Sequence, residues 1–75
     1  MDFNKLSQIK KGIIRSAYGW GYVTDNTYPR EKQALYQKGW LQTRCIDNHQ
    51  MISGQYELTP DAKTAYELMK GQGNG

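Results

Sequence analysis

Cys45, Asp47 and His49 place a thiol, a carboxylate and the chain's single imidazole within one short stretch. A thiol attacks as its thiolate, and an imidazole in reach can take the proton. Cys45 and His49 stand four apart, across a strand candidate and the turn after it. A working pair also needs a group that orients the imidazole and donors that meet the developing oxyanion. No glycine-rich nucleophile turn accompanies these residues, so Cys45 reads as a small strand residue facing the core or a sheet neighbour. His49 reads as a solvated turn residue. A lone Cys and a lone His among scattered carboxylates match no metal-ligand spacing. Gly19-Trp20-Gly21 lacks the further glycines, the Lys and the strand-to-helix setting of a phosphate loop. No catalytic residue, no metal and no cofactor is expected, and the chain reads as non-enzymatic.

A second group of residues is better suited to binding. Arg30, Gln33 and Gln37 recur at i, i+3 and i+7, with Lys32 and Tyr36 four apart beside them. These side chains supply bidentate amides, a guanidinium, an ammonium and a phenol, the groups that read base edges and hold phosphates. Arg44 adds a guanidinium at the base of the hairpin, and the polar run Asn48-His49-Gln50 at its tip could reach a minor groove or a phosphate. Lys10, Lys11 and Arg15 form a separate basic set that could hold a phosphate backbone. Glu31 is the only acid among residues 29–38.

Charge follows the same division. Residues 1–44 hold eight Lys and Arg against three Asp and Glu, a net +5, whereas residues 45–75 hold two against four, a net −2. A one-sided basic surface attracts polyanions or an acidic protein face. A chain of 75 residues makes one domain with a small core, leaving little room for a deep substrate cavity. Its hydrophobic fraction of 37% is too high for a disordered chain. The N-terminal residues lack the apolar run of a signal peptide and no stretch reaches the roughly 20 apolar residues of a membrane span. A cytoplasmic setting with no membrane partner is expected.

The elements that position these groups are legible from pattern. Phe3, Leu6, Ile9, Ile13 and Ala17 predict a helix over 4–18, capped by Asp2 or Asn4 and stopping near Gly19. Lys10, Lys11 and Arg15 fall mainly off that stripe. Trp20, between two glycines, is expected to drop onto the core, with a short extended piece, Tyr22-Val23-Thr24, after it. Pro29 opens a helix over 29–38, with Thr27 or Tyr28 as its cap and Gly39 as its left-handed stop. Ala34, Leu35 and Lys38 share one of its sides. Residues 40–46 and 52–58 predict an antiparallel hairpin, the second strand showing period-two alternation. Thr59-Pro60-Asp61 then caps a helix over 60–70, buried through Ala62, Ala65, Tyr66 and Met69, and ended by Gly71. Residues 1–71 form one domain, and 72–75 are expected as a disordered tail. The expected core sets Trp40 and Leu35 against Leu6, Ile13, Leu58 and Tyr66.

Leu35-Tyr36-Gln37-Lys38-Gly39-Trp40-Leu41 and Tyr56-Glu57-Leu58-Thr59-Pro60-Asp61-Ala62 resemble the end of a recognition helix and the segment after a wing in winged-helix repressors of the MarR and PadR type. The likeness spans about Ala34 to Met69. It implies an α+β fold of the order helix, short extended piece, helix, β-hairpin, helix. It further implies a winged helix-turn-helix that binds double-stranded DNA, as a transcription regulator or accessory factor. The interval from Gly19 to Pro29 holds only an extended piece and a turn, where a full helix-turn-helix has a positioning helix. The alternative expectation is therefore a protein-interaction module, such as a phage or plasmid adaptor or inhibitor of a larger complex. It would dock through an aromatic patch of Tyr18, Trp20 and Tyr22. A homodimer is compatible with either reading.

Overall fold

Helix α1 (Gln8–Trp20) begins at Ser7, whose extended backbone and hydroxyl meet the first turn: Lys10 N donates to Ser7 Oγ at 3.3 Å. The computed structural model describes residues 2–46 and 50–73. The segment expected to start α1 is instead a separate 3-10 turn, Phe3–Lys5, capped by Asp2. Leu6 is extended and breaks the two apart. Phe3 thereby leaves the helical stripe and packs edge-on against Trp40 (6.4 Å) and Tyr66 (5.3 Å). The buried positions of α1 are Ile13, Ile14 and Ala17, while Ile9 is 42% exposed.

The end of α1 also differs from expectation. The helix runs through Gly19, and Gly21 takes the left-handed conformation at φ 92°, donating its N–H to Ala17 O at 2.9 Å. Trp20 therefore stays on the helix, 82% exposed, instead of folding onto the core. Trp40 and Phe3 supply the large rings that the core needs. Strand β1 (Val23–Thr24) follows.

Helix α2 (Pro29–Gln37) has Pro at its start and Tyr28 before it. Its C-terminus closes through a paired left-handed stop. Gly39 has φ 86°, its N–H donates to Tyr36 O at 3.2 Å, and Trp40 N donates to Leu35 O at 2.9 Å. Leu35 and Trp40 are both buried, the hydrophobic contact that accompanies this cap.

Strands β2 (Leu41–Ile46) and β3 (Gln50–Leu58) pair antiparallel, and β1 pairs on the other side of β3, giving the order β1-β3-β2. The hairpin is less regular than its alternation suggests. Leu41 pairs with Leu58 and Thr43 with Tyr56, but Cys45 pairs with Met51, so β3 carries extra residues in a bulge. Gly54 lies within it at φ 80°, below the Asp25 carboxylate, and its carbonyl accepts from Asp25 N at 3.1 Å. Cys45, expected to face the core or a sheet neighbour, is exposed beside exposed Met51.

Helix α3 (Pro60–Gly73) is capped by Thr59, whose Oγ1 accepts from Ala62 N at 3.1 Å. It passes Gly71, which does not end it; residues 74 and 75 of the expected tail lie outside the described residues. The core gathers Ile14, Leu35, Leu41, Trp40, Ala62 and Tyr66, with Leu6, Leu58, Ala65 and Met69 packed against it. Tyr18 joins α1 to α3, its hydroxyl donating to Glu67 at 2.8 Å and its ring 4.8 Å from that of Tyr66. Among the described residues the result is a small α+β domain of three α-helices and a three-stranded antiparallel sheet. Among the described residues no helix is long and apolar enough to cross a membrane.

Candidate nucleic-acid interface

The outward side of α2 carries Arg30, Gln33, Tyr36 and Gln37, all exposed. The sequence arranges this because Leu35 is the helix's only large aliphatic residue, and its burial turns positions 30, 33 and 37 away from the core. Gln33 and Gln37 sit one turn apart on that side. Lys38, expected to share the Leu35 side, is exposed at the helix end and adds a cation. Tyr36 is 46% exposed and meets Tyr56 of β3 edge-on at 5.9 Å. Asp25, Gln33, Tyr36, Thr43 and Tyr56 line a cleft of about 470 Å³ between α2 and the sheet. Alternation marks Tyr56 as a strand residue, and nothing in the sequence pairs it with Tyr36.

Lys32 does not belong to this face. It precedes Leu35 by three residues, so the two share the inward side of the helix, and Lys32 is only 5% exposed. Its ammonium donates to Thr24 O and, at 3.3 Å, to Thr27 Oγ1. Burial lowers its pKa from the ordinary lysine value, while the nearby Asp25 carboxylate pulls the other way. Lys32 thus ties α2 to the turn after β1, and the expectation of a phosphate contact there is corrected.

Arg44 is also committed elsewhere. Its guanidinium donates to Gln55 Oε1 at 2.8 Å and lies 4.1 Å from the centre of the Tyr22 ring. Gln42 donates to Glu57 at 2.7 Å on the same side of the sheet. Thr43 and Tyr56, their strand neighbours, border the α2 cleft, so Arg44 lies on the sheet side turned away from α2. Gln50 is exposed at the start of β3, whereas Asn48 and His49 lie outside the described residues. On α1, Lys10 and Lys11 are half-buried, and Lys11 Nζ stands 6.0 Å from the centre of the Phe3 ring. Arg15 is exposed.

Of the twelve sequence-predicted contacts, the structure therefore assembles Arg30, Gln33, Tyr36 and Gln37 on one helix face and separates Lys32 and Arg44 from it. Among the described residues there is no group of three or more His, Cys, Asp or Glu that could hold a metal ion. No protein-family model, no curated protein and no solved structure matches this chain.

Proposed function

We propose that this domain is a small, non-enzymatic, winged-helix-type protein that binds double-stranded DNA, in the manner of a transcription regulator or accessory factor. The observation that carries the reading is the uncovered side of α2, where Arg30, Gln33 and Gln37 stand in one stripe while Leu35 and Lys32 are turned inward. An α-helix with its side chains is about 10–12 Å across, and the major groove, about 12 Å wide, admits it. Gln33 and Gln37 have the amide geometry that reads adenine, and Arg30 and Lys38 bracket them as phosphate contacts.

Two further features favour this reading. Tyr28 makes no side-chain cap hydrogen bond, so the Arg30 and Glu31 N–H groups of the first turn have no capping side chain from it and could meet a phosphate. The β2–β3 hairpin follows directly from the Gly39 stop, as a wing follows a recognition helix, and Gln50 lies near its tip. The test is an electrophoretic shift with mixed-sequence duplex DNA over a salt series. Binding that weakens steeply with salt supports the reading, and no shift at low salt with any duplex removes it.

A further inference from the structure

We propose that the cleft between α2 and the sheet holds one unpaired guanine base of a nucleic acid, stacked against tyrosine and read on its Watson–Crick edge by Asp25. The inference rests on the reading of α2 as a nucleic-acid face and adds to it a base that stands outside the double helix. The cleft's volume of about 470 Å³ suffices for a single base. Tyr36 and Tyr56 form a corner of it, their rings inclined at 72° with centroids 5.9 Å apart. Tyr36 is 46% exposed, which leaves ring surface open to a planar partner. Stacking on an aromatic side chain is the common means by which proteins hold an unpaired base.

The carboxylate of this cleft is positioned by the backbone around it. Asp25 follows β1 directly, and its N–H donates to Gly54 O at 3.1 Å. Its two carboxylate oxygens lie 3.6 and 3.7 Å from the point where a Cβ on Gly54 would stand. Gly54, at φ 80° within the β3 bulge, leaves that space to the carboxylate. Bulges often re-aim a side chain beside a functional site. Lys32, the cation whose charge Asp25 feels, is bonded to Thr24 O and Thr27 Oγ1 instead. Asp25 itself is exposed, so its oxygens are accessible to a donor entering the cleft.

The donor pattern selects the base. An ionised carboxylate only accepts, through two oxygens side by side. Guanine alone presents two adjacent donors on its Watson–Crick edge, N1–H and the N2 amino group. Adenine and cytosine set a ring-nitrogen acceptor beside their donor, and thymine sets its donor between two carbonyls. Each of those bases would bring an acceptor against the carboxylate. Gln33 and Thr43, which also line the cleft, offer an amide and a hydroxyl donor to guanine O6. In a paired duplex N1–H and N2 are spent on cytosine, so only an unpaired guanine fits. Charge favours this neutral base over an organic cation. Asp25 is the one charged residue among the described residues that line the cleft, yet the Lys32 ammonium is close enough to interact with it and offset it. Arg30, next to the lining residue Pro29, is exposed and adds a further positive charge, which suits a nucleotide's phosphate and opposes a cation.

The experiment titrates the full chain into fluorescently labelled DNA duplexes that differ at one site, following anisotropy. The site is fully paired, or carries a bulged guanine, a bulged adenine or a bulged hypoxanthine, which is guanine without its N2 amino group. The expected result is binding of the bulged guanine about tenfold tighter than of the other three. The hypoxanthine arm alters only the ligand and so does not depend on the folding of any variant. Asp25→Asn keeps the size of the side chain and the backbone bond to Gly54 O, and should bring the ratio of guanine to adenine affinity to about one. Tyr36→Ala should weaken both bulged duplexes by about tenfold, as the loss of a stack does for any base. The proposal is overturned by equal affinity for bulged guanine and adenine, by equal affinity for guanine and hypoxanthine, by a preference that survives Asp25→Asn, or by unchanged affinity in Tyr36→Ala. Displacement of the bulged-guanine duplex by arginine amide at lower concentration than by dGMP would also overturn it, by assigning the cleft to a cation. A paired duplex bound as tightly as the bulged one removes this inference and leaves the major-groove reading of α2 standing. Bulged guanine bound where the paired duplex is not removes that reading and keeps this inference, and no binding to any of the duplexes removes both.

Discussion

Thr59 Oγ1 donates to Gly39 O at 2.6 Å, so the cap of α3 is fastened to the stop of α2. The same hydroxyl accepts from Ala62 N, and Thr59 N donates to Trp40 O at 3.1 Å. One residue therefore satisfies a helix N-terminus and fixes the chain where α2 leaves for β2. The direction in which α2 presents Arg30, Gln33 and Gln37 depends on that joint.

Thr59→Val keeps the shape and removes the hydroxyl. It leaves the Ala62 N–H without its cap and Gly39 O without its donor, a loss of about 1–3 kcal/mol. Thr59→Ser, which retains both bonds, should recover most of it. Urea unfolding of the three proteins checks this, with the slope unchanged and the midpoint lowered in the Val variant alone. Equal midpoints for Val and wild type would show that the joint contributes nothing.

Leu35 is 1% exposed and lies where α2 meets the core. Leu35→Ala should cost about 2–5 kcal/mol, because the surrounding Leu41, Trp40 and Ile14 close the space only in part. Gln33→Ala, two residues away on the exposed side, should change stability by less than about 0.5 kcal/mol. Denaturant midpoints of the pair measure which side of α2 faces inward, and comparable losses would reverse the assignment of the two faces.

Lys32 gives a pH-dependent prediction. Its folded pKa is lowered by burial from an unfolded value of about 10.4, so the folded state releases this proton first as pH rises. Between the folded and unfolded pKa values the unfolded state holds more protons, and stability contributed by this group increases with pH. Below the folded pKa both states are charged and the contribution is flat. Lys32→Met should remove this alkaline rise from the difference between the two proteins' stability curves, measured by urea unfolding from neutral pH to about pH 10. A difference curve that is flat over that range would show that the ammonium is not desolvated.

Features fixed by local chemistry were readable from the sequence. Gly39 after Lys38 and Thr59 before Pro60 each require one backbone conformation and one cap, and both are found where their residue types place them. What depends on distant neighbours was not readable. Trp20 looked like core because it is large and apolar, but Phe3 and Trp40 occupy the volume and α1 continues two residues past 18. Lys32 looked like a surface cation because lysine usually is, yet its position three residues before Leu35 turned it toward Thr24. The bulge in β3 left no mark, since Ile52, Gly54, Tyr56 and Leu58 keep their alternation in the sequence while Gly54 departs from strand geometry. The stripe of Arg30, Gln33 and Gln37 was readable because a single helix's period determines it, and the Tyr36–Tyr56 contact was not because it joins two elements.

If α2 lies in a major groove, its side chains divide by what they touch. Arg30 near the start of the helix and Lys38 at its end are placed for phosphates on either side, so Arg30→Ala and Lys38→Ala should weaken binding to every duplex alike. Each should flatten the dependence of log affinity on log salt by about one unit. Lys32→Met should leave that slope unchanged, since the Lys32 ammonium is spent on Thr24 and Thr27. Gln33 and Gln37 face successive positions along the groove, so replacing either with Ala should alter preference at one base pair by about 1–3 kcal/mol while the salt slope stays the same. Selection from a randomised duplex pool followed by titration of the best sequence against single mismatches gives both quantities. A loss of affinity that is uniform over all sequences in the Gln variants would reduce α2 to a backbone contact. A change of slope in Lys32→Met would return that residue to the interface.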